Sequence, residues 1–240
     1  MPFPIWFHLL ATAMVVGGIL LAVGVAIDVI RKPQHMGVMN VVWPATALFG
    51  TVAIVFAYLR FGRRASERAI AERETNEKPG MPFAVMVGKG ALHCGSGCMI
   101  GDLVAEWLAF LVPGIALALG WQTIFSHKMY AVWILDFIFA FFLGIVFQYF
   151  AIVPMRKLSP FEGIKASLKA DTFSLISWQV GMYGAMGVLQ LLVFPSAFGH
   201  RAEVDSFEFW FAMQIAMICG FATSYPVNWW LIKQGIKEKM

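Results

Sequence analysis

The chain predicts an all-α membrane bundle of about six crossing helices, on three observations. Its residues are 60% hydrophobic and 13% charged, with a mean hydropathy of +0.73, whereas a soluble domain is about a quarter charged. Six separate stretches are long enough to cross the hydrocarbon core, which takes about 20 apolar residues. The 22 Phe and 9 Trp supply aromatic mass suited to lipid contact and interfacial anchoring.

The six stretches are Ile5–Ile30, Val38–Leu59, Cys98–Leu119, Tyr130–Val153, Phe173–Phe194 and Phe207–Leu231. The first lacks a basic n-region and a small-residue cleavage site, so it reads as a retained span and not a signal peptide. Residues 62–80 form the one long polar connection, a cytosolic connector. Within it Glu74 and Lys78 have the spacing of a short helix ending at Pro79-Gly80. Residues 81–119 form the third helical region. Its glycine-rich start, which carries Lys89, either extends the span or makes a bent entrance to it. No repeat relates the first three spans to the last three, and the whole chain, 1–240, reads as a single membrane domain.

Charge gives the expected orientation. With alternating spans, Arg60, Arg63, Arg64, Arg68, Arg73, Lys78, Arg156, Lys157, Lys165, Lys169 and the tail lysines share one side. The other side has Arg31, Lys32, Lys128 and Arg201. The basic side is the cytoplasmic one, which puts both termini inside. The formal charge of +4 is spread over loops facing anionic lipid, and no nucleic-acid partner is implied. Cys94, Cys98 and Cys219 all fall in apolar stretches and do not form a secreted disulfide framework.

The chemistry concentrates in His93-Cys94-Gly-Ser-Gly-Cys98-Met-Ile-Gly-Asp102-Leu-Val-Ala-Glu106. Residues four apart on a helix differ by about 40° of rotation, so Cys94, Cys98, Asp102 and Glu106 wind along one face. Ionisable groups at this depth are costly and mark pathways or relays. Two thiolates with an imidazole suit a soft or borderline ion, Cu(I) or Zn(II). His93 points about 100° away from Cys94 on a regular helix and joins the thiols only if Gly95 and Gly97 let the backbone bend. Met86, Met99, Met182, Met186, Met213 and Met217 are either thioether ligands, favouring Cu(I), or gap-fillers. The thiols are a metal or redox pair on one reading and two buried cysteines on the other. Gly97 and Gly101 form a small-xxx-small pair for close helix packing.

Asp136 in span four joins Asp102 and Glu106 as the expected ion path or proton relay. Asp171, Gln179, Met182, Tyr225 and Asn228 are candidates for a surrounding shell, with Gln148, Ser174, Ser177 and Gln214 as further polar groups and Pro226 able to break the last helix. Asp171 has a second reading, a helix N-terminal anion near Lys169. His8, Asp28 and His35 read as wetted helix ends.

The segment HCGSGCMIGDLVAEW, the stretch KADTFSLISWQVGMYG and the ending GFATSYPVNWWLIKQGIKEKM together resemble a bacterial integral-membrane family known only as a domain of unknown function. Its HC-x-x-G-C-x-x-G-D core corresponds to His93, Cys94, Gly97, Cys98, Gly101 and Asp102, and its Y-P-V-N-W-W-L ending to Tyr225 through Leu231. The resemblance implies a multi-pass protein of the bacterial inner membrane. Members associated with copper-handling domains raise the metal reading, although this chain has no soluble metal-binding domain. The resemblance brings no established activity and no catalytic residue.

Three functions are in play. The first is a metal-handling membrane protein that binds or transports a soft ion such as Cu(I) through His93, Cys94 and Cys98. The second is a non-catalytic accessory subunit that packs on other membrane subunits. The third is a dithiol redox protein, for which Cys-x-x-x-Cys on a helix needs distortion to reach disulfide distance. No P-loop, G-x-S-x-G elbow or H-E-x-x-H helix is present, and Val87-Gly-Lys-Gly90 lacks Walker spacing, so coupling to ATP would need a partner and the dithiol reading is the one enzymatic alternative. Paired histidines at bilayer depth are absent, so bis-histidine haem ligation is not expected.

Overall fold

The computed structural model describes residues 3–66, 69–70 and 81–238, which form helices joined by short connections and no named strand. Most of the 62–80 connector, with Glu74 and Lys78, lies outside the described residues. Six helices are long and apolar enough to cross a membrane. They are α1 (Ile5–Arg31), α2 (Met39–Ala57, continued by a π turn over Tyr58–Gly62), α3 (Phe83–Leu111), α5 (Lys128–Arg156), α6 (Pro160–Val188, continued to Phe198) and α8 (Phe207–Lys233). Short helices α4 (Pro113–Ala118) and α7 (Phe194–Phe198) complete the described set.

Two boundaries differ from the sequence expectation, for local reasons. Helix α3 begins at Phe83, the extended form of the span that its glycine-rich start allowed, and stops at Leu111 instead of Leu119, because Pro113 starts the separate helix α4. Helix α6 begins at Pro160 instead of Phe173. There Ser159 and Glu162 form a capping box, with proline in the first turn where its missing N–H costs nothing. Asp171 is therefore three turns inside a helix and is not an N-terminal anion. Helix α8 runs unbroken through Pro226.

Helix α2 departs most from expectation. Thr51 has φ 43° and ψ −125°, a conformation that breaks the helix. Beyond the break the chain returns along its own path, and the Trp43 and Tyr58 rings lie 5.6 Å apart. Fifteen residues of straight helix would separate them by roughly 22 Å. A Cβ on Gly62 would lie 3.0 Å from the Trp43 ring. Gln34 and Ser66 pair at the base. This segment is thus a helical hairpin that enters the bundle and leaves on the side it entered. The approach to its tip is held inside by protein partners, while Val52 just past the break is exposed. The Gln214 Nε2 donates to the Leu48 carbonyl at 2.7 Å, and the Phe49 ring sits 5.8 Å from Trp178.

The hairpin bears on where the N-terminus lies in the bundle. Helix α1 runs parallel to α8: His8 Nδ1 meets Glu208 Oε1 at 2.7 Å, Phe7 faces Phe211 at 6.0 Å, and Gln214 reaches the Met14 carbonyl at 3.3 Å. Among the described residues α1, α3, α5, α6 and α8 run from end to end, and the first residues of α1 lie at the opposite end from the last residues of α8. Asp28 ties the finish of α1 to the hairpin base, accepting from Tyr58 Oη at 2.7 Å and from Arg63 Nε and Nη2 at 2.8 and 2.7 Å. That carboxylate raises the Arg63 guanidinium above its ordinary value.

Helix α3 is the central element, packed chiefly on α5 and also touching α8, α2 and α6. The small residues determine how closely it packs. A Cβ on Gly97 would sit 2.8 Å from the Gly144 backbone nitrogen, and one on Gly101 would sit 2.6 Å from that of Ala140. Gly95 makes room for the six-membered ring of Trp178 and Gly220 for its pyrrole side. The glycines therefore serve close packing, and α3 stays regular through the His93–Cys98 segment instead of bending there.

Candidate functional site

The seam between α3 and α5 sets which polar groups meet. Gly97 faces Gly144 and Gly101 faces Ala140 in an antiparallel register. One further turn each way puts His93 opposite Gln148, and Ala105 opposite Asp136. Asp136 thus enters between Asp102 and Glu106, which flank Ala105 on α3 by about one turn or less. Asp102, Glu106 and Asp136 are all buried and within electrostatic reach of one another. From α6, Gln179 lies beside Asp102. One turn on, Tyr183 sits near all three acids and Cys98, its hydroxyl donating to the Trp133 carbonyl at 3.0 Å.

Among the described residues neither Asp102 nor Asp136 forms an ion pair with a cationic side chain. Both oxygens of Asp102, Oδ1 of Asp136 and both polar atoms of the Gln179 amide are buried with no hydrogen-bond partner among the described residues. Natural interiors rarely leave such groups unmatched. Glu106 opens into a cavity of about 110 Å³ whose walls include Lys128, Gln190, Arg201 and Glu203. Gln190, within the π turn Leu189–Val193 that precedes Pro195, shapes this mouth. Its amide exchanges two 3.1 Å hydrogen bonds with the Ala202 backbone. A larger cavity of about 370 Å³, bounded by Val15, Leu48, Met99, Trp107 and Trp210, is mainly apolar and takes in none of these buried acids.

Deeper along α3 come the thiols. Cys98 lies beside Cys94 on the preceding turn, both fully buried and free. His93 is also fully buried, its ring 6.2 Å from that of Phe147, and neither ring nitrogen has a partner among the described residues. No three His, Cys, Asp or Glu side chains among the described residues are grouped to hold a metal ion. Met182, Met186, Met99, Met213 and Met217 belong to the apolar core, the gap-filling alternative.

At the far end is a second polar centre. Lys237 Nζ meets Asp171 Oδ1 at 2.5 Å and donates to the Gly90 carbonyl at 3.2 Å, and both side chains of the ion pair are fully buried. Asn228 Nδ2 donates to Ser174 Oγ at 2.6 Å and Ser224 Oγ at 2.8 Å. Asp171 and Lys237 lie within electrostatic reach of His93, as does Lys89. Tyr225 is separate: its hydroxyl donates to the Ala84 carbonyl at 3.1 Å near the surface.

Buried polar groups therefore run in file along the bundle, from the mouth at Glu106 through Asp102 and Asp136, past Cys98, Cys94 and His93, to Asp171 and Lys237. Sequence reasoning missed Tyr183, Ser224 and Lys237. Tyr183 had a signal, one turn after Gln179, whereas Lys237 was counted with the solvated tail.

No curated protein and no solved structure matches the chain. A family model described as "Domain of unknown function (DUF4396)" matches residues 85–237. That segment holds every residue of the file from Lys89 to Lys237 and excludes α1 and the α2 hairpin. The chain accordingly belongs to the DUF4396 family.

Proposed function

We propose that this protein is a membrane carrier of a small cation, which moves along the file between α3, α5, α6 and α8 in exchange for protons held by Asp102, Glu106 and Asp136. One observation carries the reading: both oxygens of Asp102 and Oδ1 of Asp136 are buried with no hydrogen-bond partner among the described residues, and the two acids lie within electrostatic reach of each other. A carboxyl at bilayer depth needs either a proton or a cation beside it. A site that accepts one in place of the other is the chemical core of an exchanger. The mouth at Glu106, Glu203, Lys128 and Arg201 is the entrance. Cys94 and Cys98 offer sulfur halfway along, so a soft ion such as Cu(I) is the cargo their chemistry favours.

Orientation follows from the hairpin. Because α2 returns to its own side, Arg31 and Lys32 join Arg60, Arg63, Arg64, Arg156 and Lys157 at one end of the bundle. Lys128 and Arg201 remain at the other. The positive-inside rule then makes the C-terminal end cytoplasmic and the N-terminus external.

Proteoliposomes enclosing a pH dye test the exchange, with outward gradients of Na⁺, K⁺, Zn²⁺ or reductant-stabilised Cu⁺. One of these cations is expected to drive proton counterflow that falls to the level of empty vesicles in Asp102→Asn with Asp136→Asn. Cys94→Ser with Cys98→Ser is expected to abolish counterflow driven by Cu⁺ and to spare that driven by Na⁺ or K⁺. Counterflow driven by none of the four overturns the proposal in favour of an accessory membrane subunit.

A further inference from the structure

We infer that Asp171, the Gly90 carbonyl and Asn228 form a binding site for a small monovalent cation, and that the ammonium of Lys237 is its tethered occupant. This deepens the carrier reading by naming a second cation station, at the opposite end of the file from Glu106. The station itself is tested without transport.

The site is built from three elements. Asp171 comes from the interior of α6, Gly90 from α3 and Asn228 from α8, and all three are buried. They converge on residue 90: a Cβ there would lie 3.7 Å from Asn228 Oδ1 and 3.8 Å from Lys237 Cε, ordinary contact distances to both. The Asn228 amide is oriented by its nitrogen, which donates to two serine hydroxyls and the Ser224 carbonyl at 2.6, 2.8 and 2.9 Å. Its Oδ1 is thereby left free, buried and without a partner among the described residues, as is Asp171 Oδ2. A carboxylate and a carbonyl accept from one ammonium, which uses two of its three donors on them, and the free amide oxygen of Asn228 borders the same glycine. Oxygen donors of this kind suit an alkali or ammonium ion.

The occupant is delivered by the tail and is not fixed to a span. Gly235, at φ 68°, ends α8 with a Schellman turn: Ile236 N–H bonds the Leu231 carbonyl at 3.0 Å and Gly235 N–H bonds that of Ile232 at 3.1 Å. The turn aims Lys237 back into the bundle, and the next residue, Glu238, pairs with Arg156 outside. Between tail, α5 and α6 lies a cavity of about 190 Å³ bounded by Arg156, Lys169 and Gln234 to Ile236. When the tail leaves, the station opens to this cavity and a free cation replaces the ammonium with charge conserved.

The test is chemical rescue in detergent solution. Lys237→Ala removes the equivalent of n-propylammonium. The variant is expected to melt several degrees below the parent in choline chloride and to recover with n-propylammonium or K⁺, while the parent melting temperature stays unchanged by either. Asp171→Asn in the same background is expected to abolish the recovery. Recovery equal in both backgrounds, or absent from Lys237→Ala, overturns the inference. If Lys237→Ala does not fold, Lys237→Met supplies the same comparison with K⁺ as the probe. Proton counterflow in vesicles does not enter this measurement, so either proposal can fail alone.

Discussion

Asp171 and Asp136 stand at opposite ends of one buried file, each essentially inaccessible, and the fold treats them in opposite ways. Asp171 has a lysine at 2.5 Å and a serine–asparagine cluster beside it. Asp136 has two other acids for neighbours and an oxygen with no partner. The chain can therefore neutralise a buried aspartate: a Schellman turn and one lysine do it. Asp102 and Asp136 have no such partner among the described residues, and under the proposed function the carboxyl end is where charge is exchanged and the lysine end where it is stored. Unsatisfied polar groups in a native interior call for a functional account of this kind.

The comparison is sharpest in its orientation, where the outcome is all or none. The lysine end is expected to face the cytoplasm and the carboxyl mouth the outside, with the N-terminus external and the C-terminus internal. Reporter fusions active on only one side of the membrane, placed at each terminus, check this. Two termini on the same side would mean that α2 crosses, and the contacts of α1 with α8 would then have to be abandoned.

The next largest effect separates the two aspartates by stability. Asp171→Asn breaks a buried pair and is expected to cost about 3 kcal/mol, the lower part of the range for such a loss, because the tail lets the ammonium withdraw to water. Asp136→Asn removes no cationic partner and is expected to stay within about 1 kcal/mol. Thermal unfolding of the two variants in one detergent decides it. Equal losses would erase the distinction between stored and exchanged charge. Hydrogen exchange should report release of residues 234–238 in Asp171→Asn alone.

Much of the carboxyl end was legible in the sequence because it is written on single helices. Cys94, Cys98, Asp102 and Glu106 share a face by helical spacing alone, and Gly97 and Gly101 announce a close neighbour without naming it. Asp136 was visible as an acid in an apolar span; its partner was not, because register between helices is fixed by Gly144 and Ala140 meeting those glycines. The lysine end was hidden for a different reason. Lys237 looks like any basic residue after a last span, and only the turn at Gly235 sends it inward. The hairpin was also invisible: Val38–Leu59 has the length and apolarity of a crossing, and the reversal rests on one residue, Thr51, with a conformation that composition does not signal. The expected orientation turns on that residue: counting α2 as a crossing separates Arg31 and Lys32 from Arg63, whereas the Asp28–Arg63 pair keeps them at one end of the bundle.

The smallest effects test the seam that holds the carboxyl end together. A Cβ on Gly101 would lie 2.6 and 2.7 Å from the nitrogen and Cα of Ala140, backbone atoms that move only with their helix. Gly101→Ala is expected to cost about 1–3 kcal/mol, as overpacking does. Gly17 on α1 has open space where its Cβ would be, so Gly17→Ala is expected to add about 0.5–1 kcal/mol through helix propensity alone. The two substitutions are chemically identical and differ in sign only because one faces α5 and the other does not. Unfolding midpoints of both variants in the same detergent make the measurement. Should Gly101→Ala prove as harmless as Gly17→Ala, α3 and α5 do not meet at this register. Asp136 then no longer falls opposite Ala105, and the three acids lose the shared compartment on which exchange depends.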